Sequence, residues 1–255
     1  MEAEFKVTKS GKMRLDQLLV ERGMFANRTR AHASIMAGEI VSEGHRLTKP
    51  GHLVPADISL AVNSRHARYV SRGGDKLEGA LADFHLNVDG WKCLDLGSST
   101  GGFSDCLLQQ GAASIVGVDV GKGQLHQNLR NDPRMTVLEG VNARYLRAQD
   151  LPGPFDLVVM DLSFISLTKI LPVVPLFLKE RTGRMLALIK PQFEVGPAAI
   201  GKGGIVRDPK AQEGAVKTVT AALKEHGLVK LGVERSHLTG ADGNVEFFVL
   251  AKREA

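Results

Sequence analysis

From Trp91 onward the chain alternates short apolar runs with helical segments. The runs are KCLDL, SIVGVDV, MTVLEG, FDLVVMDL, RMLALIK, LVKLGVERS and NVEFFVLAK. The first five predict parallel strands of a doubly wound α/β sheet; the last two, separated by the turn-rich HLTGADG, predict an antiparallel hairpin that closes it. Before Trp91 the pattern differs. Leu15, Leu18 and Leu19 share one helical face that stops at Gly23, and Asn27 caps a second helix whose Ala31, Ser34, Ile35 and Met36 face inward. After Gly38 come short alternating strands in EIVSEGHRL and HLVPADISLAV, with a turn at Glu43-Gly44 and a break at Lys49-Pro50-Gly51. A further amphipathic helix is expected from Asp75 to Leu86, with Leu77, Ala80, Leu81 and Phe84 on its apolar face. These patterns divide the chain into a leader (1–12), a small α+β module (13–63), a basic connector (64–72) and an α/β domain (73–255).

Composition narrows the class. Of 255 residues, 43% are hydrophobic, enough for a normal core. No apolar run approaches the ~20 residues that span a bilayer, and MEAEFKVTKSGKM has no apolar signal core, so a cytoplasmic protein is expected, with no membrane partner. Cys93 and Cys106 read as buried small hydrophobes in a reducing compartment, and no metal site is expected. Net charge is +5, and residues 1–80 hold 13 Lys and Arg against 9 Asp and Glu. A basic end of this kind points to a polyanion.

Candidate chemistry begins at KCLDLGSSTGGFSD, Lys92 to Asp105, which runs on through a helix into SIVGVDVG. The stretch reads as strand, tight turn, helix, strand. Glycine suits a chain leaving a strand through positive φ, or a ligand lying on bare backbone. Asp119, at the end of the second strand, is placed to hold a ribose diol. Asp95 would repel the pyrophosphate of a dinucleotide but attract the ammonium and sulfonium of S-adenosylmethionine, which favours the methyl donor. Cofactor contacts are expected from Asp95, Gly97, Ser98, Ser99, Thr100, Gly101, Gly102 and Phe103, from Asp119 and Val120, and from Asn142 after the third strand. Gly97 to Gly101 also fits the G-x-S-x-G elbow, with Asp161 and His237 in hydrolase order. Such an elbow follows several strands; here it follows the first, so hydrolysis is the weaker reading.

Seven strands with a terminal hairpin form the class I methyltransferase arrangement, a Rossmann-like sheet. Ligands of open α/β sheets lie at the carboxyl ends of strands. Asp161, Lys190 and Glu246 stand at strand ends or on the hairpin, and Lys76 precedes the sheet. Buried among apolar strands, two lysines and two carboxylates cost desolvation unless they pair or act. The turn Asp161-Leu162-Ser163-Phe164 lacks the prolines of base-amine methylation, and neither cysteine lies near the fourth or fifth strand, where carbon methylation needs one. A sugar hydroxyl remains, which a lysine of lowered pKa flanked by carboxylates suits. Downstream, Gly196 to Lys202 fits G-x-x-x-x-G-K, but Gly203 stands where a Walker A loop needs Ser or Thr. PQFEVGPAAIGKGGIVRDP is therefore expected to be a flap that closes over substrate, with Lys202 and Arg207 meeting the polyanion.

The first module resembles the S4 RNA-binding domain in Arg14-Leu15-Asp16, its basic helix-turn-helix, Ile35 to Val41 and Lys49-Pro50-Gly51. It departs from the common pattern at Asn27, where a serine is usual, and at Ser42-Glu43-Gly44. Arg14, Arg28, Arg30 and Lys49 are its candidate phosphate contacts, with Arg68 and Arg72 in the junction that follows. The ordered set Lys76, Asp161, Lys190, Glu246 is similar to the catalytic tetrad of RrmJ/FtsJ-type RNA 2′-O-methyltransferases. With S-R-G-G-x-K, D-L-G-x-S-T-G-G-F, D-L-S-F-I-S and I-K-P-Q-F-E-V-G, the chain from Met13 looks like the TlyA, or haemolysin A, family. That resemblance implies 2′-O-methylation of cytidine in ribosomal RNA, with S-adenosylmethionine as donor and ribosomal subunits as partners. It also implies that Lys190 holds or deprotonates the hydroxyl, that Asp161 and Glu246 orient Lys190, and that Lys76 positions the ribose or its phosphate. The family's second name keeps a membrane-active cytolysin as an alternative, and a noncatalytic S4-type assembly factor is another.

Overall fold

The structure is a computed structural model that describes residues 11–25, 27–36, 38–62 and 68–254. The expected leader up to residue 10, and residues 63–67 at the start of the connector, lie outside the described residues. The chain divides into two compact units between residues 67 and 68.

In the first unit, strand β1 (Lys12–Arg14) runs straight into helix α1 (Leu15–Glu21), and α2 (Arg28–Met36) follows. Oδ1 of Asn27 accepts from the backbone N–H of Arg30 at 2.9 Å, the capping bond its position predicts. Strand β2 (Ile40–Ser42) pairs antiparallel with β3 (His45–Arg46) and β5 (Ala61–Val62), while β4 (Leu53–Pro55) pairs with β1. The β2–β3 turn takes φ of 48° at Glu43 and 81° at Gly44, the left-handed pair of a tight hairpin. Leu15, Leu18, Leu19, Ala31, Ile35, Ile40 and Val54 form one buried apolar core. Met36, expected inside, is 44% exposed, because one residue along a helix from buried Ile35 turns the side chain by about 100°.

The second unit opens with α3 (Arg72–Asp83), three residues earlier than its apolar face predicts, so Arg72 belongs to a helix rather than a connector. A seven-stranded sheet follows: β6 (Lys92–Leu96), β7 (Ser114–Asp119), β8 (Met135–Glu139), β9 (Leu157–Met160), β10 (Arg184–Ile189), β11 (Leu228–Arg235) and β12 (Phe247–Arg253). Its order is β11-β12-β10-β9-β6-β7-β8. The first five strands are mutually parallel as predicted, and the hairpin forms with β12 inserted antiparallel between β10 and β11. Alternate residues of each strand go to opposite faces. Leu94, Val116, Val158, Ala187 and Val249 build one core with Val219 and Leu223 of the long helix Pro209–Glu225. Cys93, Ile115, Leu157, Leu186 and Phe248 build the other with α3 and α4 (Gly102–Gln109). The strand order reverses between β6 and β9, so a crevice opens at their carboxyl ends.

Candidate active site

Charge gathers at those carboxyl ends. Asp161 directly follows β9 and Lys190 directly follows β10. The antiparallel register sets Ile189 opposite Phe247, which brings Glu246 beside Lys190. Lys76 reaches the same cluster from α3: its Nζ lies 2.5 Å from Oε2 of Glu246. Nζ of Lys190 lies 2.6 Å from Oδ1 of Asp161. The same ammonium donates to Oγ of Ser163 at 3.0 Å. The four side chains are between 2% and 24% exposed, so two positive and two negative groups neutralise one another largely out of water.

The local field corrects one expectation. Burial pulls the Lys190 ammonium down, but the charges of Asp161 and Glu246 raise it by more, and it titrates above the ordinary lysine range rather than below it. Burial likewise pushes Asp161 upward, and Lys190 and Lys76 bring it below the usual carboxylate range. Glu246 goes the other way: burial leaves it above that range in spite of Lys76 and Lys190.

The glycine turn after β6 lies against this cluster. Gly97 has φ of 89°, and a Cβ there would stand 2.8 Å from the carbonyl oxygen of Asp161, so its bare backbone lets the β6 and β9 loops touch. Asp95 is fully buried on the α4 side of the sheet, where Oγ of Ser104 donates to its Oδ2 at 2.7 Å and Oδ1 has no partner. Burial raises its carboxyl to about 7. Oγ of buried Ser98 is also without a partner. At the end of β7, Asp119 accepts from the N–H of Ser99 at 2.8 Å and of Gly121 at 2.7 Å, and Val120 beside it is 68% exposed. Two orphaned polar atoms, a strand-end carboxylate and an exposed apolar side chain fit a ligand that is cationic at one end and carries a ribose and a flat base at the other.

Several residues expected there do other work. Phe103 is buried and stacks on Phe248, with ring centroids 6.0 Å apart, so it belongs to the core. Gly102 is buried, and a Cβ on it would stand 3.0 Å from the backbone nitrogen of Gly74, which makes it a packing glycine beneath α3. The carbonyl of Thr100 accepts from the N–H of His126 at 3.1 Å, and Gly101 is the left-handed residue from which α4 starts. Asn142 caps the turn after β8, its Oδ1 accepting from the N–H of Arg144 at 3.0 Å. The hydrolase elbow lacks its partners: Oγ of Ser99 faces Oε1 of Gln124 at 3.4 Å, and Nε2 of His237 sits 2.9 Å from Asp83.

In the first unit, Arg14 and Arg28 both close on buried Asp16. Nε and Nη2 of Arg14 donate to its two oxygens at 3.0 and 2.9 Å, and Nη2 of Arg28 donates at 2.8 Å. The bond from Arg14 leads in drawing the Asp16 carboxyl down to about 2, against burial and with the help of Arg28. The two arginines stay 44% and 54% exposed. Arg30 and Lys49 are exposed. In the second unit, Arg68 pairs with Glu78 and covers the Tyr69 ring, and Nη2 of Arg72 donates to the carbonyl of Thr239 at 3.3 Å. Lys202 and Arg207 are exposed on the expected flap. That segment is tethered rather than loose. Buried Asn244 donates from Nδ2 to the carbonyl of Gly204 at 3.0 Å and accepts at Oδ1 from the N–H of Val206 at 2.9 Å. Ser163, Glu194 and Asn244 stand in or beside motifs visible in the sequence, but which partners they meet is set by the fold. Among the described residues, no group of His, Cys, Asp and Glu is placed to hold a metal ion, and no helix is long and apolar enough to cross a membrane.

Residues 69–253 match the model of the FtsJ-like methyltransferase family. YqxC of Bacillus subtilis, named as an rRNA methyltransferase, is 46% identical over 94% of this chain and 85% of its own length. The 16S/23S rRNA (cytidine-2′-O)-methyltransferase TlyA of Mycobacterium tuberculosis is 45% identical over 92% of this chain and 88% of its own. Among solved structures, a Streptococcus thermophilus protein that carries the name hemolysin is 40% identical and covers 96% of this chain and 90% of its own, with a TM-score of 0.74.

Proposed function

The chain belongs to the FtsJ-like methyltransferase family, and from that membership we propose that it is an S-adenosylmethionine-dependent methyltransferase acting on the ribose 2′-hydroxyl of cytidine in ribosomal RNA. The observation that carries the reading is the meeting of Lys76, Asp161, Lys190 and Glu246 at the carboxyl ends of the sheet, in a chain 45% identical to a protein named for this activity.

Asp95 and Ser98 would hold the amino-acid end of the donor, Asp119 its ribose and Val120 the face of its base. Bound there, S-adenosylmethionine supplies an electrophilic methyl group. Lys190, kept charged by Asp161, holds the attacking oxygen and lowers the energy of the negative charge that grows on it. It does not act as the initial base. The hydroxyl proton passes to water as the O–C bond forms, so the oxygen carries only partial negative charge, which the Lys190 ammonium faces. Asp161 and Ser163 fix the direction of the ammonium, and Glu246 holds Lys76 at the rim of the same cluster. Alignment of oxygen and methyl supplies most of the rate. The first unit, as an S4-type module, contributes Arg14, Arg28, Arg30 and Lys49 to RNA phosphates; Arg68, Arg72, Lys202 and Arg207 serve the second unit. This work on ribosomal RNA is that of a cytoplasmic protein.

The test is tritium transfer from labelled donor to separated ribosomal subunits, with the modified position mapped by 2′-O-sensitive primer extension. Label on a base rather than a ribose, or none on either subunit or on free ribosomal RNA, sinks the proposal. Liposome leakage by the purified protein, unaffected by Lys190→Ala, would instead support a membrane-active protein.

A further inference from the structure

The loop after β9 carries two of the groups that meet Lys190, Asp161 and Ser163, and then turns sharply. Phe164 sits at φ of 65°, a conformation that costs a non-glycine residue and persists where neighbours enforce it. Its ring is 92% exposed and touches little besides Phe193, 5.4 Å away between centroids. Its own burial therefore does not hold the turn.

Glu194 does, from the other strand's exit. It closes the short helix α5 (Pro191–Glu194), four residues beyond Lys190. Its Oε2 accepts from Oγ of Ser166 at 2.6 Å and its Oε1 from the backbone N–H of Leu167 at 2.8 Å. The loop is thus tied to the β10 exit at both ends, by Asp161 and Ser163 on Lys190 and by Ser166 and Leu167 on Glu194. The carboxylate is half-buried, and burial holds it above its usual range against the two bonds that lower it.

We propose that Glu194 is a positioning residue for methyl transfer: its forked grip on Ser166 and Leu167 sets the loop conformation that places Asp161 and Ser163 on Lys190. The inference rests on the methyltransferase reading. Glutamine preserves the grip, since its oxygen accepts from Leu167 and its amide donates to Ser166, whereas alanine removes it.

Glu194→Ala and Glu194→Gln should be compared in three measurements: single-turnover transfer to ribosomal RNA, donor affinity by calorimetry, and the rate at which Lys190 is acetylated by acetic anhydride, read by mass spectrometry. Alanine is expected to slow transfer about 10- to 100-fold, as expected for a misplaced reactive group, with donor affinity unchanged within about twofold. It should speed Lys190 labelling severalfold, because an ammonium released from Asp161 loses its proton more readily. Glutamine should restore transfer and slow labelling. Wild-type transfer by the alanine variant, or equal loss in both variants at an unchanged melting temperature, overturns the proposal. If alanine prevents folding, Ser166→Ala cuts the same grip from the loop side and must raise Lys190 labelling. The labelling arm needs no RNA, so it decides the role of Glu194 even if the wild-type protein leaves ribosomal RNA unmodified.

Discussion

Each unit is built around a buried carboxylate that meets cations, and the two use the arrangement in opposite senses. In the first, Asp16 holds Arg14 and Arg28, whose long side chains run outward and leave their guanidinium groups 44% and 54% exposed. In the second, Lys76 and Lys190 are drawn inward, 9% and 12% exposed, and each faces a carboxylate that is itself shielded. One acid under two cations leaves a net positive surface; two acids among two cations leave a neutral interior. In the proposed function, the first arrangement would meet phosphates and the second would control the charge on one oxygen. Arginine, with its flat fork, suits the first task, and lysine, a compact point charge, the second.

The comparison breaks most visibly if the inner cluster is emptied. Lys190→Ala should lower single-turnover methyl transfer by roughly 10²- to 10⁴-fold, the range for a directly acting polar group, while calorimetry finds donor affinity little changed. Undiminished transfer would move the chemistry elsewhere. A smaller effect should follow Asp16→Asn, which leaves both arginines in place but loosens them; filter binding should show ribosomal RNA held about tenfold more weakly, the scale of one charged hydrogen bond. Asp16 titrates at about 2 in the folded protein against 3.8 ordinarily. The unfolded chain therefore binds more protons between those values, and the first unit loses stability as pH falls from about 4 toward 2. Asn at this position should flatten that part of an acid titration followed by circular dichroism; an unchanged curve would show that Asp16 does not anchor the unit. Least of all, Arg28→Ala should lower the slope of log affinity against log salt by about one and weaken all RNA sequences alike. A loss confined to one sequence would make Arg28 a base reader.

Much of this was legible in the chain. Parallel strands showed themselves as apolar runs because both faces of β6, β7, β9 and β10 are covered, and strand-end charges stood out against them. Asn27 and the Glu43-Gly44 turn follow from local hydrogen bonding and backbone conformation alone. What the sequence hid depends on contacts between distant segments. A lysine of lowered pKa is expected because the hydroxyl has to lose a proton, whereas strand order brings Asp161 and Glu246 close enough to outweigh burial and raise Lys190 instead. Phe103 looked like part of a ligand turn, and its ring goes to the core because α4 rotates it onto Phe248. Glu194 was visible as a letter in a motif, but its grip spans 27 and 28 residues.

The pair of Lys76 and Glu246 joins residues 170 positions apart. On a translating ribosome, at roughly 5–20 residues per second, α3 is complete about ten seconds or more before β12 exists. Late in that interval the nascent chain holds the glycine turn, the acidic end of β7, Asp161 and Lys190, but not Glu246, the residue with which Lys76 pairs. A protein whose proposed target is ribosomal RNA is thus made beside that target in an incomplete state, and insertion of β12 between β10 and β11 is the event that completes its reaction centre.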